Sequence, residues 1–519
     1  MAFDNVPWLR WLPHPHFPED GVPYKYRWPA TIVVSLGVFL IALDITIVGV
    51  TGPFLSAGLG ATATQIQWAF DAYTVVLAGF VVLGAELAER FGRKGIMQLG
   101  LLVFAIGSAI SAFAPDPRVL IAGRIVSGLG AALDFPASLS IISSLFPPKE
   151  RQKAISVFAS ISAVGLAGGP VIGGLLIGWF WWGAAFLVVV PPALLAIGAM
   201  GLVVPTSRRV EQKQLDFLGA VLSVLGLGGV VFGIIEGPGR GWGDPAVLIT
   251  FSIGFLCLAI FVVWELRCKG PLFDLRVFKD TRVVGGALAM ATVYFTFNSS
   301  QLLIPQYLNY VLNFSSVGTG LLMSPLGLAL LILSPASGKL VERHGQRATL
   351  LFTLIFMAAG LMVLALLPFW GGVVNILVGI CVYGVGFGLV VAPATSVIMV
   401  AIPADKAGDG SAVNMISRQI GGAIGVAITG SFAALVYRHG LSLSEFHLSD
   451  TARASVERSL SGVIALDHAL EPALAARLDA MADAEMVNGV AVAMAVSALV
   501  TVLVAVVAMI MLPRGSEDR

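Results

Sequence analysis

The chain has 519 residues, of which 57% are hydrophobic and only 12% are Asp, Glu, Lys or Arg, about half the usual soluble share. With a mean hydropathy of +0.91, its apolar surface exceeds what one soluble core can bury, so the solvent must be lipid. The net charge of +1 argues against a nucleic-acid partner, and three scattered cysteines without CxxC spacing (Cys257, Cys268, Cys381) indicate neither a zinc site nor a disulfide framework.

Residues 1–27 carry Trp8, Trp11 and the run Pro13-His14-Pro15-His16-Phe17-Pro18 but no continuous apolar stretch. That composition predicts a segment lying at the membrane surface rather than a cleavable leader. Crossing the hydrocarbon core takes ~20 apolar residues, and fourteen such stretches follow. Six fall near 28–50, 68–88, 96–113, 119–145, 154–178 and 181–203, forming a first bundle over 28–203. Two more, near 216–236 and 246–266, lie in 204–282. The last six, near 283–305, 316–336, 348–367, 372–400, 410–436 and 487–511, form a second bundle over 283–511. Residues 512–519 are a tail, and 437–486 is a long loop whose tract from Ala465 to Asp483 has amphipathic helical character.

One charged turn occurs twice. Ala85-Glu86-Leu87-Ala88-Glu89-Arg90-Phe91-Gly92-Arg93-Lys94 is matched by Gly338-Lys339-Leu340-Val341-Glu342-Arg343-His344-Gly345-Gln346-Arg347. Leu, Glu, Arg and Gly fall in register, and each copy joins two apolar segments, so the bundles are internal repeats, the usual construction of secondary transporters. Eight spans separate the copies instead of six, which marks 216–236 and 246–266 as two inserted helices. Of 31 bases, 23 lie on the connections and termini that share a side with both turns, six lie on the other side, and Arg124 and Arg418 lie inside spans. This asymmetry predicts cytoplasmic termini and turns, with 437–486 extracytoplasmic.

The duplicated turn resembles the cytoplasmic loop signature of the major facilitator superfamily, although Ala85 replaces the usual opening Gly. Fourteen spans narrow the resemblance to the EmrB/QacA-type drug:proton antiporters. Leu43-Asp44-Ile45-Thr46-Ile47-Val48 is similar to that family's first-helix signature. Arg124, Gly128, Gly130 and Ala131 resemble its fourth-helix pattern, with Ser127 where Gln is common. Gly165, Gly169, Pro170, Gly173 and Gly174 resemble its antiporter helix, whereas Trp182-Gly183-Ala184 departs from the family's Trp-Arg-Trp. The resemblance implies an all-α membrane protein with the superfamily fold, two six-helix bundles plus two inserted helices. It also implies a monomeric, multi-pass protein of the cell membrane, whose partners are protons, the bilayer and a small-molecule substrate.

Asp44, Asp71 and Asp134 stand inside apolar segments with Arg124, and no span contains a histidine. Intramembrane ionisable groups cost several kcal/mol and mark functional sites, so carboxylates are the expected proton carriers. Asp44 holds the position the family pattern gives to a first-helix acid, and Asp71 resembles a second-helix acid of some members; for Asp71 a polar spot near a helix end is the plainer alternative. Asp134 is a coupling or substrate-cation candidate, too far along the helix from Arg124 to pair with it. Gly165, Gly169 and Gly173 recur every four residues on one face, which predicts close helix packing and, from the resemblance, a seal between the bundles around the bend at Pro170. Glu89, Arg90, Gly92 and Arg93, with Glu342, Arg343 and Gly345, are expected to latch one access state by pairing with a base or a helix N-terminus; the plain alternative is topology charge, to which Arg93 and Lys94 fit best.

No phosphate loop, His-Glu-x-x-His or Gly-x-Ser-x-Gly motif is present, so neither an enzyme nor a cofactor is expected. The expected function is proton-coupled export of hydrophobic or cationic compounds, a multidrug efflux antiporter working by alternating access. The alternatives are a dedicated exporter of an endogenous lipid, siderophore or metabolite, and a non-transporting sensor or scaffold, which would have no reason to tolerate Asp44 and Asp71.

Overall fold

The computed structural model describes residues 24–61, 63–206, 216–268, 274–314, 316–403, 407–443, 446, 449, 452, 453, 456, 463 and 472–512. The interfacial tract 1–23, the loop tract Ala465 to Leu470 and the tail beyond 512 therefore lie outside the described residues. The helices that organise the fold are α1 (Arg27–Leu59), α2 (Ala63–Phe91), α3 (Arg93–Ala112), α4 (Pro117–Leu145), α5 (Pro148–Trp179), α6 (Ala184–Leu187), α7 (Val190–Val203), α8 (Phe217–Arg240) and α9 (Pro245–Arg267). After them come α10 (Thr281–Gln306), α11 (Ser316–Ala365), α12 (Leu367–Trp370), α13 (Val373–Ala401), α14 (Ala407–Gly440) and α15 (Pro472–Met511).

Thirteen helical segments among the described residues are long and apolar enough to cross a bilayer. One of them, Gly318–Ala365, has 48 residues, about 72 Å at 1.5 Å per residue and twice what a hydrocarbon core needs. It reverses at Gly345, where φ is 81° and ψ 162°. Counted as two arms, it brings the total to the fourteen spans that the sequence predicts. Gly92 does the same between α2 and α3, with φ 100° and ψ 125°. Both glycines occupy the same place in the duplicated turn, and both take a positive φ that a side chain would resist. The repeat is thus a helix-breaking device.

Local sequence accounts for other boundaries. Asp116 starts α4 by accepting the amides of Arg118 and Val119 at 2.7 and 3.1 Å, ahead of Pro117, a standard N-cap. Asp280 caps α10 and receives the Arg282 side chain at 2.8 Å; these hydrogen bonds hold its carboxyl below the usual range. The sixth span, predicted as one helix over 181–203, is broken into α6 and α7 with Val188 and Val189 between them. Pro191 and Pro192 follow at once, and with no N–H they cannot extend the preceding ladder.

In the first bundle α1 packs on α5, and α4 on α2 and α3; in the second, α10 packs on α14, and α11 on α13. The inserted pair lies on the seam between bundles. Its α8 meets α2 through Trp68 and Phe232, with ring centres 5.3 Å apart, and meets α14 through Val230 and Ile234 against Ala423 and Ala427. The outer helix, α9, turns Leu248, Ile249, Ile253, Phe255 and Leu256 outward, a face suited to lipid. The last helix begins at Pro472, well before the span predicted at 487, and its early turns bury Leu478 and Ala482 against Tyr437, Leu443, Phe446, Val456 and Val463 of the long loop.

Candidate coupling and transport site

Two oppositely charged side chains meet in the core of the first bundle. Arg124 of α4 reaches Asp44 of α1, Nη1 to Oδ2, at 2.7 Å, and the two residues are 1% and 0% exposed. Arg124 Nε donates to the Ala69 carbonyl of α2 at 3.1 Å, using that oxygen's second lone pair. The guanidinium carbon lies 4.5 Å from the ring centre of Tyr73 and 5.8 Å from that of Phe186. One cation therefore ties α1, α2, α4 and α6 together. Asp44 Oδ1 has no hydrogen-bond partner among the described residues, so the carboxylate is only half satisfied. A buried pair of this kind is costly to break, because losing one partner strands the other.

Asp134, farther along α4, is also 0% exposed, and neither carboxyl oxygen has a hydrogen-bond partner among the described residues. It faces Gly37 of α1, where a Cβ would stand 2.8 and 2.9 Å from its two oxygens and 3.1 Å from Met97 of α3. Asp134 is thus packed between α1 and α3. The structure keeps it apart from Arg124, whose carboxylate partner is Asp44. Tyr73 lies within electrostatic reach of Asp44, Arg124 and Asp134. Asp71 is on α2 one half-turn before Tyr73, and its side chain lies outside the described residues.

The glycine face of α5 packs on α1, within the first bundle. A Cβ on Gly165 would stand 3.1 Å from both Ala42 Cβ and the Leu43 amide, and one on Gly169 would collide with Thr46. These are the residues flanking Asp44. The face of Gly165 and Gly169 thus meets the helix that carries the acid, while α5 also packs on α11 and α13 of the second bundle. Gly173 is buried, and the side chain of Pro170 and the surroundings of Gly174 lie outside the described residues. The second bundle repeats the packing, with Gly421 and Gly425 of α14 set against Ala291 and Phe295 of α10.

The duplicated turns differ in what they touch. Glu89 Oε1 accepts the Gly408 N–H at 2.6 Å, an amide in the first turn of α14 that has no intrahelical partner. The contact joins the bundles and places a carboxylate on a positive helix end. Arg90 lies 5.4 Å over the Phe91 ring. Arg93, buried, donates to the Ser140 carbonyl at 3.4 Å, and Lys94 donates to the carbonyls of Gly201 and Val204 at 3.1 and 2.8 Å, closing the end of α7. Those two bases hold helices together rather than only setting topology. Glu342 and Arg343 are exposed and make no ion pair or hydrogen bond among the described residues. The reason is local. The helix matching α14 is α5, which opens on Pro148 with no N–H, and its first-turn acid Glu150 is held by Arg27 at 3.0 Å.

Sequence reasoning placed Arg418 inside a span but missed its setting. Its guanidinium carbon lies 5.0 Å from the ring centre of Phe135 on α4 and 4.7 Å from that of Tyr294 on α10. No spacing in the sequence relates three residues on three helices.

Known proteins match this architecture. The profile of the Major Facilitator Superfamily matches residues 34–426. The multidrug resistance protein Stp of Mycobacterium tuberculosis (strain CDC 1551 / Oshkosh) is 32% identical over 84% of this chain and 81% of its own length. The puromycin resistance protein pur8 of Streptomyces alboniger is 33% identical over 81% and 85%, and the tetracenomycin C resistance and export protein of Streptomyces glaucescens is 30% identical over 81% and 78%. Among solved structures, the proton:xylose symporter XylE bound to 6-bromo-6-deoxy-D-glucose superposes with a TM-score of 0.61 at 15% identity, covering 93% of this chain and 95% of that one. By profile, relatives and fold alike, the chain belongs to the Major Facilitator Superfamily.

Proposed function

We propose that the chain exports hydrophobic or cationic drug-like compounds across the cell membrane in exchange for protons, by alternating access between its two bundles. The observation that carries this reading is the buried Asp44–Arg124 pair, with the unpartnered Asp134 in the same bundle core. A scaffold has no use for such groups, and a transporter does. A proton arriving at Asp44 neutralises the carboxylate and weakens its hold on Arg124, which loosens the tie between α1 and α4. Releasing the proton on the other side restores the pair. Glu89 on the N-terminus of α14 stabilises the state in which the turn-bearing face is closed, and the charge asymmetry supports assigning that face to the cytoplasm. Relatives named for resistance to several drugs support broad cargo. A relative named for resistance to and export of tetracenomycin C supports a second reading, a dedicated exporter.

The test is transport in proteoliposomes, with ethidium as the probe. Wild type should show both counterflow and pH-driven efflux. Asp44→Asn, of the same shape but unable to exchange a proton, should keep counterflow and lose pH-driven efflux. Undiminished pH-driven efflux in that variant would reject the assignment.

A further inference from the structure

The most unusual side chain outside the first-bundle core is Arg418. It sits eleven residues into the 34-residue α14, about 16 Å along the axis, inside the apolar span. Among the described residues it forms no ion pair and no hydrogen bond, and its Nε is buried. Its only neighbours of note are the faces of Phe135, from the first bundle, and Tyr294, from the second. The guanidinium therefore stands in the seam between bundles, where an alternating-access transporter carries its cargo. Arg124 has the Asp44 carboxylate; among the described residues Arg418 has none.

The surroundings add a shape. Tyr294 meets Phe297 edge-on at 6.0 Å, and Phe297 stacks on Phe387 at 5.2 Å and 15°. Tyr294 and Phe297 are both half-buried, so the aromatic surface opens on the same seam as the cation. The adjacent Gln419 leaves Nε2 buried without a partner. Aromatic faces offset part of the cost of a buried cation, but they accept none of its five N–H donors. A planar guanidinium with unused donors beside a flat aromatic wall is complementary to a flat ring bearing an acidic oxygen pair.

We propose that Arg418 anchors the carboxylate of a planar aromatic substrate while Tyr294 and Phe297 stack its ring. The inference rests on the export reading and adds aromatic acids to its cargo, at a subsite separate from the Asp44–Arg124 pair.

The experiment uses the full chain in nanodiscs and three probes: anthracene-9-carboxylate, its neutral methyl ester, and ethidium. Wild type should bind the acid about tenfold more tightly than the ester, the worth of one charge-assisted hydrogen bond. Arg418→Gln should bring that ratio to about one, with ethidium affinity retained or raised because a like charge is removed. Arg418→Lys, which keeps the charge without the fork and guards against misfolding of the glutamine variant, should cut the ratio about threefold. A ratio near one in wild type, or a ratio unchanged in the folded variants, would overturn the inference. So would an equal loss of all three probes, which would make Arg418 a packing or access-state residue. Ethidium efflux driven by pH is measured alongside in proteoliposomes. If it is present and the acid preference is absent, the cargo inference fails alone; if wild type moves no probe, the export reading fails and takes the inference with it.

Discussion

The first and second bundles join corresponding helices with opposite chemistry. In the first, α1 is tied to α4 by the ion pair Asp44–Arg124 at 2.7 Å. In the second, α10 is tied to α13 by a neutral contact, Thr296 Oγ1 to Tyr383 Oη at 3.0 Å. The supporting packing is the same, since glycines of α5 sit on α1 as glycines of α14 sit on α10. Duplication kept the scaffold and let the polar contacts diverge. The buried carboxylates Asp44 and Asp134 lie in one half, and the other half carries Arg418, unpaired among the described residues, beside Tyr294. The largest expected effects should therefore fall on the first bundle.

Removing one member of the ion pair should do most damage. Arg124→Met strands a buried carboxylate and should destabilise the protein by about 3–5 kcal/mol, read as a fall in thermal unfolding temperature in detergent. Adding Asp44→Asn should recover much of that loss, because the stranded charge is gone, yet the double variant should show no pH-driven efflux. If the double variant is no more stable than Arg124→Met, the pair does not account for the loss.

The glycine contacts come next. Gly169→Val drives a side chain into Thr46, and Gly421→Val drives one into the Ala291 backbone. Each should cost about 1–3 kcal/mol by overpacking, and the two costs should be similar because both belong to the shared scaffold. A neutral Gly421→Val would show that the second bundle does not use the α5–α1 mode of packing.

The turns test the same asymmetry at the membrane surface. Glu89→Gln removes a charge from the N-terminus of α14, about 1 kcal/mol, enough to shift an access equilibrium roughly fivefold. Turnover should change by about that factor with substrate affinity held. Glu342→Gln, exposed and unpaired, should stay within about twofold of wild type. Equal effects at both positions would restore the matched latches that the repeat alone suggests.

What was legible in the sequence follows from the range of the physics involved. Span number depends on local hydropathy and survived at Gly318–Ala365, where the non-helical Gly345 divides one apolar stretch into two arms. The glycine of the duplicated turn was legible because positive φ is a local demand. Asp44 stood out because an acid in an apolar run is visible in any window. Its partner did not, because Arg124 is 80 residues away and only tertiary packing selects it over other bases. The same holds for the surface that receives Gly165, for Gly408 beneath Glu89, and for the rings around Arg418. The sixth span stands as Ala184–Val203, and the interruption between α6 and α7 within it was readable from Pro191-Pro192.

The smallest expected effect closes the comparison. Tyr383→Phe removes the hydroxyl that meets Thr296 but leaves the ring against Phe387, with centres 6.0 Å apart. Thr296 keeps a partner, since its hydroxyl also bonds the Val293 carbonyl at 3.0 Å. No buried group is stranded, so the cost should fall at about 0.5–1.5 kcal/mol, the net worth of one neutral hydrogen bond. Neither side chain exchanges a proton at working pH, so the ratio of pH-driven efflux to counterflow should match wild type. That ratio is the decisive readout. A change in it on removing one hydroxyl would place part of the proton path in the second bundle and end the division drawn between the halves. An unchanged ratio, beside its collapse in Asp44→Asn, would mean that corresponding helix contacts in the two bundles have diverged into a structural tie and a coupling tie.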